Sequence, residues 1–229
     1  MNIVHLGINI KEKVGNFITK ENYLASKPEH MVGWEEHHLA EQMIKASVNY
    51  DLNMRFFDSL SDEKFNKHLL TQCRKHRMKE CVDLNELDGV PGVYIMVLDE
   101  YKQVYIGQST DIKKRIVKGH WAKTKSLERL ICGDVCTSVI SIDSFGALDT
   151  TRIFYRKSWD TFTLEEKIVA SFDARYTLNR IDGGIGSSST YTGDTLSVLF
   201  AIKASRKQRN LIDFVTLEEL QERLSEEEV

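Results

Sequence analysis

Proline is nearly absent. Only Pro28 and Pro91 occur in 229 residues, which excludes a proline-rich linker or stalk. No stretch reaches the roughly 18 consecutive apolar residues that cross a bilayer, so a membrane span is excluded. The opening segment MNIVHLGINIKEK has an apolar stretch too short and too early for a secretory signal, and a cytoplasmic protein with reduced thiols is the expectation. No internal repeat of useful length is present. Nor is there an excess of basic charge: 31 Lys and Arg face 34 Asp and Glu, for a net −3. That total speaks against a surface that is basic throughout, but distribution matters more than the sum. Much of the acid is gathered at Glu218, Glu219, Glu222, Glu226, Glu227 and Glu228.

Cysteine is also sparse. Cys73-x2-His76-x4-Cys81 and Cys132-x3-Cys136 offer candidate zinc ligands, yet neither is the paired C-x2-C spacing of a structural site, and ordinary buried thiols are the simpler reading. What is there in quantity is ordinary: 41% hydrophobic and 28% charged residues, enough for a packed core in one domain with an extension or in two small ones.

Residues 1–86 read as a helical N-terminal domain for target binding, dimerisation or regulation. Met31 to Asn49 brings Trp34, Leu39, Met43 and Ile44 near helical spacing, and a second helix after Ser59 aligns Phe65, Leu69 and Leu70. Glu35-Glu36-His37-His38 matches no metal motif and reads as an exposed helix face. The basic stretch Arg74, Lys75, His76, Arg77, Lys79 follows, and Gly89-Val-Pro-Gly92 breaks the pattern. Val93–Val97 and Val104–Ile106 predict two strands joined by the polar turn Asp99–Lys102, an antiparallel hairpin. Asp111 is an N-cap candidate for a helix carrying Ile112, Ile116 and His120 on one face. Thr151–Tyr155 predicts a third strand, and Thr163-x-x-Glu166 fits a capping box for a helix to about Ala174. Residues 187–229 read as a C-terminal extension: Ser187–Gly193 as a polar connector, then apolar Leu196–Ile202, the basic residues Lys203, Arg206, Lys207 and Arg209, and an acidic helix from Thr216. Gly183-Gly184-x-Gly186 reads as a flexible exit.

The chemistry sits in one block. Gly92-Val93-Tyr94 is followed after ten residues by Tyr105-Ile106-Gly107, then by Arg115 and His120. Two tyrosines on neighbouring strands are by themselves more often structural. In this combination the block resembles the GIY-YIG nuclease family. Glu165 and Glu166 in Leu164–Val169, Asn179 and Gly183-Gly184 are similar to that family's later glutamate and asparagine elements. The resemblance covers residues 87–186. It departs at the histidine, which in the family stands four residues after the arginine; here Gly119 holds that place and His120 comes one position later.

The resemblance implies an α+β domain with a small, mainly antiparallel three-stranded sheet flanked by helices. It implies divalent-metal-dependent endonucleolytic cleavage of DNA, with Tyr94 and Tyr105 near the nucleophile, Arg115 on the phosphate, Glu165 on Mg²⁺ or Mn²⁺, and His120 and Asn179 completing the site. These residue types suit the reaction. Phosphodiester cleavage needs an oriented water, charge stabilisation on the phosphoryl oxygens and a stabilised leaving oxygen. Arginine offers a planar fork of donors to phosphate, and Mg²⁺ keeps several waters, so one carboxylate can hold it. Glu165 is preferred to Glu166 for the metal because Glu166 fits the capping position. Lys113, Lys114, Lys118, Lys123, Lys125 and Arg129, with Trp121 among them, read as phosphate contacts for DNA rather than as a merely solvated face. Restriction, mobile-element and repair roles, and a homodimer, stay open. The alternative is a catalytically silent DNA-binding or protein-interaction module on the same fold.

Overall fold

The computed structural model describes residues 2–25, 36–122, 130–131 and 135–180, and every structural statement below concerns these. A hairpin opens the chain: β1 (Asn2–His5) pairs antiparallel with β2 (Ile8–Lys11) across Leu6-Gly7, both at positive φ, as a tight right-twisted hairpin turn requires. Then come α1 (Lys20–Leu24), α2 (Glu36–Asp58) and α3 (Asp62–Lys75), the last capped by the Ser61 hydroxyl accepting from Lys64 N. β3 (Lys79–Cys81), β4 (Gly92–Leu98) and β5 (Gln103–Ser109) follow. A short α4 (Ile112–Lys114), capped by Asp111, runs straight into a π-helical segment, Arg115–Trp121. β6 (Arg152–Lys157) and α5 (Thr161–Ser171) complete the regular elements.

The protein is α+β, but its main sheet has four strands rather than the expected three, in the order β3-β6-β4-β5, all antiparallel. The extra strand, Lys79–Cys81, is too short to show in the sequence pattern and begins at the last residue of the basic stretch. Residues 1–86 are therefore not purely helical: they contribute the β1–β2 hairpin and one strand of the main sheet. The expectations placed on residues 187–229 lie outside the described residues.

β4 is buried along its whole length, so its sequence shows no polar alternation. Its side chains divide between two cores. Val93, Ile95 and Val97 join Phe65, Leu69 and Cys73 of α3 and Ile168 and Val169 of α5. Tyr94, Met96 and Leu98 face Leu52, Phe56 and Phe57 of α2 and Ile112 and Ile116 beyond β5. The sheet is thus a middle layer between α3 with α5 and α2 with α4. The second core gathers residues from Ile18 to Leu178, without a break at residue 86.

α2 is held by polarity as well as by apolar packing. Asn49 and Asn53 are fully buried on its inward face. Asn49 Nδ2 donates to the carbonyls of Val135 (2.7 Å) and Ser138 (2.8 Å), and Asn53 Nδ2 donates to Ser138 O (2.9 Å). These two amides satisfy backbone carbonyls of a segment that is itself in neither strand nor helix. Met43, expected on the apolar face, is 41% exposed instead.

Asp149 ties the N-terminal segment down from inside. Its carboxylate accepts from Ile18 N (2.8 Å), Gly146 N (2.6 Å) and the Tyr101 hydroxyl (3.2 Å). Burial nevertheless dominates and pushes its pKa up to about 6. Because the folded value lies above the unfolded one, the folded state binds this proton more tightly, and the group adds stability as pH falls through 6. Asp149→Asn is near-isosteric and removes that proton. In urea titrations at pH 7 and pH 5, wild type should gain stability relative to Asp149→Asn at the lower pH. Equal changes in the two proteins would remove Asp149 from this window.

Candidate active site

Register brings the two tripeptides together. Tyr94 is directly opposite Gly107, and Tyr105 is opposite Met96, so the tyrosines are diagonal neighbours with ring centroids 6.4 Å apart. The ring of Tyr94 lies across the bare backbone of Gly107: a Cβ there would stand 2.5 Å from the Tyr94 hydroxyl oxygen and 2.7 Å from Cζ. Gly92 is required for a different reason, since a Cβ at this position would collide with the Arg156 carbonyl on β6. Tyr94 is completely enclosed, while Tyr105 is half-buried. Burial raises the pKa of both phenols, Tyr94 well above the ordinary value and Tyr105 to about 12, with Arg115 opposing the rise at each.

Arg115 opens the π-helical segment and acts on both phenols, working against the rise in their pKa values. Burial works against its charge, but the oxygens of Tyr94 and Tyr105 outweigh that and hold its pKa above the arginine value. Its side chain folds back over Gly119, where a Cβ would stand 3.1 Å from Arg115 Cδ. A π-turn closes i to i+5, one residue more than an α-turn. His120, five residues beyond Arg115, thereby occupies the place that a residue four beyond would take on an α-helix. The extra residue in the sequence is absorbed by the helix, and the histidine still faces the tyrosines. His120 is buried, with its Nε2 2.8 Å from the Tyr94 hydroxyl, its Nδ1 2.8 Å from Asp143 Oδ1 and its ring centroid 5.1 Å from that of Tyr105.

Glu165 approaches from α5. It is buried and acts on both tyrosines, raising their pKa values, whereas Glu166 is exposed. The capping argument that separated these two carboxylates does not hold. α5 begins at Thr161, and Asp160 is its N-cap, accepting from Thr163 N. Glu165 is distinguished by the face of the helix it occupies. Thr161 fastens the start of α5 to β5 through a hydroxyl donated to Gln108 Oε1 (2.5 Å).

Asn179 does not enter this group. Its side chain pairs with the backbone of Ile106, accepting from Ile106 N (3.0 Å) and donating to Ile106 O (2.8 Å). With Leu178 N donating to Val104 O (2.8 Å), it covers the outer edge of β5 as a further strand would. Among the basic candidates, Lys113 is paired with Asp88 (2.7 Å) and Lys114 and Lys118 are exposed; Lys123, Lys125 and Arg129 lie outside the described residues.

Among the described residues no three His, Cys, Asp or Glu side chains gather as a metal cluster. A single buried carboxylate, Glu165, is the kind of ligand a hard cation that keeps most of its water can use. Cys73 and Cys81 lie in the two different cores, with their thiols pushed up to about 12 and about 11 chiefly by burial, while Cys132 lies outside the described residues. Asp143 was not foreseen. It sits in a 3-10 turn, Ile142–Ser144, 23 residues past His120, and no spacing rule connects the two. Comparison of the chain with protein-family models, with curated proteins and with solved structures gives no match.

Gly107→Ala should force Tyr94 aside. The overpacking cost is about 1–3 kcal/mol, read by urea unfolding, and a hydrogen-bonded Tyr94 hydroxyl proton resonance should be lost. An alanine variant of wild-type stability with that resonance intact would show that the ring can slide off the strand.

Proposed function

We propose that this chain is a divalent-cation-dependent DNA endonuclease of the GIY-YIG type. The observation that carries the reading is the meeting of Tyr94, Tyr105 and His120, from a hairpin and a π-helical segment, with Arg115 and Glu165 both close enough to shift the pKa values of the two phenols. An ordinary structural tyrosine needs one hydrogen-bond partner; a buried imidazole at 2.8 Å, a solvent-facing arginine and a buried carboxylate that both act on the two phenols exceed that need.

In this reading Arg115 grips the phosphate with its planar donor fork and stabilises the charge that develops on the phosphoryl oxygens. Glu165 is the residue that would hold Mg²⁺ or Mn²⁺, which would supply Lewis acidity toward the phosphate. Tyr105, the tyrosine with surface exposed, orients the attacking water, while Tyr94 connects the site inward to His120. Asn179 acts by stiffening β5 under Tyr105 rather than by touching substrate. The exposed Lys114 and Lys118, with Arg74, Lys75, Arg77 and Lys79, are the phosphate contacts that would hold DNA.

The second reading is a silent DNA-binding or protein-interaction module. The complete enclosure of Tyr94 and the net charge of −3 favour it. Incubation with supercoiled plasmid in Mg²⁺ against an EDTA control separates the two, since only the nuclease nicks or linearises DNA. Glu165→Gln should abolish cleavage and leave DNA affinity intact; normal cutting by this variant together with a dead Glu166→Gln would move the metal to the other carboxylate. Arg115→Ala should slow cleavage by at least about a hundredfold, the scale for one preorganised donor, and Arg115→Lys should not restore it, because lysine has no planar fork. A fully active lysine variant would overturn the bidentate role.

A further inference from the structure

Behind the two phenols a chain of hydrogen bonds leads inward and out again: Tyr94 hydroxyl, His120 Nε2, His120 Nδ1, Asp143 Oδ1, with both contacts to the imidazole at 2.8 Å. His120 shows 2% of its side chain to solvent and Asp143 shows 23%. A buried imidazole cannot exchange partners with water, so its two neighbours decide which nitrogen carries the proton. A carboxylate accepts and does not donate. Asp143 therefore requires the hydrogen on Nδ1. In the neutral ring this leaves the Nε2 lone pair facing Tyr94, and the phenol must donate. The hydrogen of Tyr94 then points at His120, and its oxygen lone pairs are left for the guanidinium of Arg115.

We infer that Asp143 is a positioning residue that fixes His120 as the Nδ1–H tautomer, so that Tyr94 donates to the imidazole and presents its lone pairs to Arg115. The direction of one hydrogen bond is thereby passed from Asp143 to the guanidinium. Without the carboxylate, Nε2 could carry the hydrogen and donate to the phenol oxygen, in competition with Arg115 for the same lone pairs. The other polar groups at the imidazole fit this scheme: Tyr105 packs edge-on to it at 5.1 Å between centroids, Arg115 acts on both phenols, and Glu165 acts on the phenols from α5. The glycine at position 119 leaves room for the Arg115 side chain, whose Cδ would stand 3.1 Å from a Cβ there. The consequence for cleavage rests on the nuclease reading above; the tautomer itself does not.

The test uses the full-length protein labelled with ¹⁵N at histidine. In wild type the His120 Nδ1 should show the shift and one-bond proton coupling of a protonated nitrogen, and Nε2 the shift of an unprotonated acceptor. In Asp143→Asn, whose amide can donate as well as accept, the Nε2–H form should appear. A proton on Nε2 in wild type overturns the assignment, whether or not any variant folds. On plasmid DNA with Mg²⁺, Asp143→Asn should cut about 10- to 100-fold more slowly, the usual loss when the partner that orients a functional histidine is removed. DNA affinity should be unchanged, and Asp143→Glu should restore part of the rate. A wild-type rate in Asp143→Asn overturns the role in cleavage. If wild type itself leaves plasmid uncut, the nuclease reading fails, while the nitrogen shifts still decide the place of Asp143.

Discussion

The candidate site depends on one close approach, the ring of Tyr94 laid across the uncovered backbone of Gly107. Antiparallel pairing puts these residues directly opposite each other, and the missing side chain lets the phenol cross β5 instead of standing up from its own strand. Once there, the hydroxyl sits where the π-turn delivers both Arg115 and His120. The two contacts differ in kind. Arg115 is partly solvent-facing and ready for a ligand, whereas His120 is sealed and committed to Tyr94 and Asp143. An open cationic face backed by a closed polar network is a common way to hold a charged group in a fixed direction without flooding the site with water.

Rigidity beneath the site comes from both edges of β5 being occupied. On one side β4 pairs with it over its full length; on the other Asn179 mimics the backbone of a strand. A single amide in this role satisfies a buried N–H and a buried C=O at once, groups that would each cost about 1–3 kcal/mol if left alone. The same device recurs on α2, where Asn49 and Asn53 hold the 135–140 backbone. Buried asparagines thus stand in for missing secondary structure on both sides of the sheet.

Much of this architecture is legible in the residues. The hairpin follows from two runs rich in β-branched and aromatic side chains around a polar turn, and the caps at Ser61 and Asp111 follow from their hydroxyl and carboxylate. Other parts are not, for physical reasons. Lys79–Cys81 carries no strand signature because three residues are too few to alternate. A π-turn has no period of its own to detect, so His120 looks displaced until the helix is seen. Asn49 and Asn53 count as polar in any periodicity, although both are inside. Glu165 and Glu166 are told apart by the face of α5 that each occupies, because Asp160 and not Glu166 takes part in the cap. Asp143 meets His120 through tertiary folding alone.

β3 has a consequence of another sort. It is the outermost strand of the sheet, only three residues long, and it presents the exposed charges of Lys79 and Glu80. Beneath it lies β6, twice as long, with Ile153 and Phe154 in the two cores. A strand so short and so charged offers little to an approaching chain, yet it occupies hydrogen-bonding positions that would otherwise be open along β6. A fragment cut at residue 86 would lose it. Such a fragment would leave the backbone of β6 at Ile153–Tyr155 without the strand that now pairs with it.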